Sequence, residues 1–182
     1  SAHRTSKPAV RAELTENRRH GIDGPMNRKG VDMEIAPLVG TWSLRSWYNQ
    51  TEDGRRLFPF GEDATGYISY SPDGFVFVHL MASRRVPFAV NDPFGGTLQE
   101  DSEAFKSHIT YAGPYEYTGN RVIHRVTQAS CPNWVGTEQI RQVEFVGEHL
   151  RLSAAGALLQ GRQVTAYLDW QRADSKSHSA QR

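Results

Sequence analysis

Between Leu38 and Arg172 apolar side chains recur at alternate positions in short runs, and turn-forming residues punctuate the runs about every 8–12 positions. A period of two is the mark of a strand with one covered face. The pattern predicts strands over 39–49, 66–71, 75–81, 111–118, 121–129, 139–146, 149–154 and 162–172, with a short extra strand near 56–58. Ser71-Pro72-Asp73-Gly74 predicts a tight hairpin, because Pro presets one turn φ and Gly supplies a positive one. Gly119-Asn120 and Gly147-Glu148 separate two further pairs of runs in the same way. In the 75–81 run both parities are apolar, as expected for a strand covered on both sides.

One helix interrupts the strands. Thr97-Leu98-Gln99-Glu100 has the spacing of a capping box, in which Thr97 caps a backbone N–H and Glu100 reaches back. The expected helix runs over 98–109, with Leu98, Phe105 and Ile109 on one stripe and Asp101, Glu103 and Lys106 in solvent. It reads as a cap against a barrel wall or mouth. Eight antiparallel strands favour closure, since a closed sheet has no exposed edge, and eight staves leave room for packed side chains or one small ligand. The expected fold is therefore all-β: an eight-stranded antiparallel barrel with one short helix.

Residues 1–32 break the pattern. Apolar positions there are sparse, Gly21, Gly24, Pro25 and Gly30 interrupt any helix, and seven Lys or Arg stand against four Asp or Glu. Such a stretch buries too little surface to offset its ordering entropy. It is expected to be a flexible N-terminal arm, or a lid over a cavity, preceding a domain over 33–172; the polar segment 173–182 is expected to be a loose tail. The whole 182-residue chain has 21 basic and 20 acidic residues and a formal charge of +1. That balance argues against nucleic acid as a partner, which would leave a basic footprint. No apolar run reaches membrane-span length. A single cysteine, Cys131, rules out an internal disulfide. The charged first residues carry no signal-like apolar stretch, so a reducing, cytoplasmic setting is expected.

Several blocks together resemble a known family. Gly40-Thr41-Trp42 opens the first strand and Trp170-Gln171-Arg172 closes the last. Gly66-Tyr67-Ile68-Ser69-Tyr70-Ser71-Pro72-Asp73-Gly74, Tyr111-Ala112-Gly113-Pro114-Tyr115 and Pro132-Asn133-Trp134-Val135-Gly136-Thr137 follow in order between them. The chain resembles the lipocalin-like domain family of small bacterial and fungal proteins over residues 33–172. The resemblance implies an eight-stranded barrel with an internal pocket and an opening Trp stacked under a late Arg. It implies no reaction, although a few related barrels act as cyclases in natural-product pathways.

Strand parity nominates the interior groups. His124, between Val122 and Val126, is expected inside, as a hydrogen-bonded core imidazole or as a proton carrier near neutral pH. Tyr115 and Tyr117 are expected beside it as phenols that bind a developing oxyanion. Tyr111, Phe77, His79, Trp134 and Arg141 are expected to line the ligand site, with Trp134 stacking on an apolar ligand body and Arg141 holding an oxygen. Seven histidines occur without a His/Cys cluster, and no nucleotide or hydrolase motif is present, so neither metal nor cofactor is expected. The reading is a barrel enclosing a small, largely apolar metabolite, as a cofactor-independent cyclase or isomerase of secondary metabolism. The alternative is a non-catalytic carrier or sensor. No nucleic-acid or membrane partner is expected, and a homodimer stays open.

Overall fold

The computed structural model describes residues 37–159 and 161–174. The chain runs β1 (Gly40–Gln50), β2 (Arg56–Leu57), β3 (Thr65–Tyr70), β4 (Phe75–Met81), α1 (Leu98–Lys106), β5 (His108–Tyr117), β6 (Arg121–Arg125), β7 (Gln128–Ala129), β8 (Glu138–Val146), β9 (His149–Leu159) and β10 (Arg162–Arg172). Eight of these strands are staves, in the spatial order β1-β3-β4-β5-β6-β8-β9-β10, and β10 pairs back onto β1. All the pairings are antiparallel. The expected closed, eight-stranded antiparallel barrel with one helix is what forms. The arm 1–32, residues 33–36 and the tail beyond residue 174 lie outside the described residues; the Ala173 amide donates to Thr41 O at 3.0 Å, extending the closing ladder.

One end of the barrel is shut by the Gly-x-Trp opening. Trp42 is 2% exposed and donates its indole N–H to Leu38 O at 2.9 Å. The Arg172 guanidinium lies 3.8 Å from its ring centroid and donates to Val39 O at 2.6 Å and Pro37 O at 2.8 Å. Gly40 is required here on two counts. Its φ is +120°, and an ideal Cβ would stand 2.7 Å from Arg172 Nη1. A cation over an indole contributes about 0.5–2 kcal/mol beyond the burial of the ring.

The middle block explains a break in the wall. β6 pairs with β5 only through Tyr115, Glu116 and Tyr117, while β7 pairs with Tyr111 and Ala112. Between them the chain crosses directly over Gly113, whose Cβ would collide with Arg125 O at 1.8 Å. Pro114, next in line, has no N–H to offer the interrupted ladder.

The helix differs from expectation. Its capping box forms as predicted, but it ends at Lys106 with Ser107 as C-cap. Ile109 instead belongs to β5, because His108 already pairs with Met81 and the Ile109–Tyr111 stretch alternates at strand period. Leu98 is 91% exposed, so the helix buries no stripe. The two-sided apolarity of β4 is also not matched by cover: Val76, Val78 and Leu80 are buried, whereas Phe75 and Phe77 face outward.

Trp42→Ala is expected to cost about 3–5 kcal/mol, the range for truncating a large buried aromatic. Urea unfolding of the two proteins measures it; an unmoved midpoint would show that the closed end does not carry the barrel.

Candidate functional site

The open half of the barrel encloses a cavity of about 990 Å³. Apolar walls come from Ile68, Val78 and Leu80 on one side and Leu152, Ala154, Ala166 and Leu168 on the other. The segment Leu57–Phe60, tied to β1 through the Asn49–Leu57 pair, folds over the mouth. Phe60 meets Trp47 edge-on at 4.9 Å.

The polar side of the cavity belongs to β5, β8 and the turn Pro132–Trp134. Tyr111, Trp134 and Arg141 all line it, as expected from sequence. Trp134 stands edge-on to Tyr111, with centroids 5.7 Å apart. Arg141 projects inward from β8 and donates to Gln139 Oε1 at 3.1 Å and Ile140 O at 2.9 Å. No carboxylate among the described residues pairs with it; the nearby Glu138 is bound to Arg125. Its charge is thus available to an oxygen inside the cavity.

His124 faces inward, 1% exposed, but stands behind the cavity wall rather than on it. Its Nδ1 is 2.9 Å from the Tyr111 hydroxyl and its Nε2 is 2.9 Å from the Tyr70 hydroxyl. Burial, reinforced by the Arg141 charge, pushes the imidazole down to about 3. Burial likewise raises both tyrosines, with Arg141 working against the rise. At neutral pH the chain Tyr70–His124–Tyr111 is uncharged: one ring nitrogen donates, the other accepts. Both nitrogens are engaged, so only the outer phenol, Tyr111, presents this network to a ligand.

The other expected residues fall elsewhere. The hydroxyl of Tyr115 donates to Ser71 O at 3.2 Å and that of Tyr117 to Gly119 O at 2.5 Å, which anchors both phenols in hairpins away from the cavity. Phe77, 53% exposed, and His79 point out of β4, because the covered parity of that strand is Val76, Val78 and Leu80. His79 stacks on His108 outside the wall. Tyr70, Trp47 and Asn49 were not singled out from sequence. Tyr70 had a signal, since it shares its parity with buried Ile68. Trp47 and Asn49 had none, because a bulge between Leu44 and Ser46 reverses the parity of β1.

Residues 39–173 match the lipocalin-like domain family. The chain belongs to that family. This lipocalin-like protein is 34% identical over 86 residues to the 4'-hydroxy-3'-methoxypropiophenone carrier protein ppsC of Aspergillus oryzae, an alignment spanning 42% of this chain and 78% of that one. A lipocalin-like protein from Bacteroides uniformis is similar in structure at a TM-score of 0.40 and 14% identity, covering 75% of this chain and 99% of that one. No described helix of the lipocalin-like barrel is long and apolar enough to cross a membrane. No group of three or more His, Cys, Asp or Glu among the described residues is placed to hold a metal ion.

The imidazole of His124 makes stability pH-dependent. Its folded pKa lies below the ordinary 6.5, so below that value the unfolded chain binds the extra proton. The stabilisation is complete above pH 6.5 and is lost as pH falls toward about 3. Between pH 7 and pH 5 this group should remove roughly 2 kcal/mol from wild type. His124→Gln should lack that portion of the loss, as urea unfolding at the two pH values will show; equal losses would mean the imidazole is not held neutral.

Proposed function

We propose that this barrel is a binding protein for a small, largely apolar aromatic metabolite bearing an oxygen acceptor, and that it carries the ligand rather than transforming it. The observation that carries the reading is the pairing of a largely apolar cavity with Arg141, which no carboxylate among the described residues pairs, beside a neutral Tyr111. Apolar walls supply affinity, and the two polar groups fix orientation. The similarity to a protein named as the carrier of an aromatic ketone supports both the cargo class and the carrier role.

A cofactor-independent cyclase or isomerase is the second reading, favoured by the Tyr70–His124–Tyr111 relay ending at a cavity hydroxyl. Proton flow to a ligand oxygen through that relay would leave Tyr70 as a buried phenolate. Burial resists that state, since it raises the Tyr70 pKa well above its ordinary value. The relay therefore suits holding a hydroxyl in place better than passing a proton on.

Titration with 4'-hydroxy-3'-methoxypropiophenone, followed by calorimetry, is expected to show saturable one-to-one binding. Mass spectrometry should recover the ketone unchanged; conversion would favour the isomerase reading instead. Ala154→Trp, which fills the cavity, should weaken binding at least about tenfold while keeping the urea midpoint. Absence of saturable binding in wild type, or undiminished binding in the variant, would overturn the assignment of this cavity.

A further inference from the structure

The β1–β10 side of the cavity carries three polar atoms with no partner among the described residues. They are the indole N–H groups of Trp47 and Trp170 and the carboxamide Oδ1 of Asn49. Trp170 is 1% exposed and Asn49 5%. All three residues line the cavity. Buried polar groups are almost always paired, so three orphans on residues that line one cavity require an explanation.

Their placement is built, not accidental. Trp42 and Leu44 face inward on β1, and simple alternation would turn Trp47 and Asn49 outward. The bulge between Leu44 and Ser46 reverses the alternation. Trp47 and Asn49 then enter the cavity opposite Leu168 and Ala166, on the neighbouring strand that also carries Trp170. Around the ring β1 stands three staves from both β5 and β8, so Trp47 and Asn49 lie across the cavity from Tyr111 and Arg141, while Trp170 on β10 is four staves from β5 and two from β8. The two polar sets differ in character. Arg141 offers donors only, whereas the β1–β10 set offers two donors and an acceptor.

We infer that the ligand is polar at both ends: a carbonyl-type acceptor meets Tyr111 and Arg141, and a hydroxyl meets Trp47 and Asn49. A hydroxyl suits this second set because its oxygen accepts from an indole N–H while its proton goes to Asn49 Oδ1. The Trp170 indole, two residues along β10 from the Trp47–Leu168 pair, suits a second acceptor oxygen of the ligand. The rings of Trp134, Trp47, Phe58 and Phe60 around the cavity suit a flat aromatic body between the two ends. The cargo class is thus a hydroxylated aromatic carbonyl compound. This inference rests on the binding function proposed above and goes beyond it by assigning Trp47 and Asn49 as specificity residues.

Three probes test it by calorimetry: 4-hydroxybenzylideneacetone, benzylideneacetone without the hydroxyl, and 4-butylphenol without the carbonyl. Wild type is expected to bind the first at least about tenfold more tightly than either of the others, because a site with polar groups left unpaired rejects the truncated analogue. Trp47→Phe and Asn49→Leu should each weaken the hydroxylated ketone about tenfold and leave benzylideneacetone within about twofold. Loss confined to the hydroxylated probe excludes a general packing defect. If wild type binds both ketones equally, or the variants weaken both alike, the inference fails while the binding function stands. If no probe binds saturably, the binding function fails and takes the inference with it.

Discussion

The ladder between the first and last strands is the constraint on which the rest of this molecule depends. Without the β1–β10 pairing the sheet would be open, with two free edges and no interior. The ladder is locked at its end by Arg172, which covers the Trp42 ring and donates to two carbonyls just before β1. Gly40 leaves the guanidinium room to approach. Closing the ring there fills one half of the barrel with packed side chains and leaves the other half hollow. The same ladder brings Trp47, Asn49 and Trp170 onto one wall of the hollow.

Inside, burial and one fixed charge set the chemistry together. His124 would be a base near neutral pH in water, yet burial and Arg141 hold it neutral. Tyr70 and Tyr111 are kept as phenols by the same burial. A network of three neutral groups with matched donors and acceptors is rigid and poorly disposed to move charge. Its value lies in holding the Tyr111 hydroxyl still beside the guanidinium.

Much of the fold was legible because turns and alternation are local signals. Ser71–Gly74 and Gly119-Asn120 marked real hairpins, and the Thr97–Glu100 box marked a real helix start. Less of the site was legible. Tyr111 and Arg141 lie on the cavity, as does Trp134, which sits in a turn where no strand parity applies, and His124 faces inward. Tyr115 and Tyr117 share the parity of Tyr111, but parity says nothing about how far along the barrel axis a side chain lies; theirs end in hairpin carbonyls. Phe77 and His79 misled because β4 is apolar on both faces, so composition could not choose the inner one. Trp47 and Asn49 were hidden by a bulge, which leaves no mark in a pattern of alternating residues. The end of the helix depended on a strand pairing with Met81, a partner far away in sequence.

The closing contact also has a consequence in time. The bonds from Arg172 to Val39 and Pro37 span 133 and 135 residues of chain. The hairpins β3–β4, β5–β6, β8–β9 and β9–β10 can assemble from neighbours, but the ring cannot shut until its last strand exists. During synthesis β1 leaves the ribosome first and waits with one side unpaired for β10. Such non-local pairing makes folding slow and leaves open strand edges exposed to other chains meanwhile. The contact that makes the finished barrel secure is therefore the one that makes the nascent chain vulnerable.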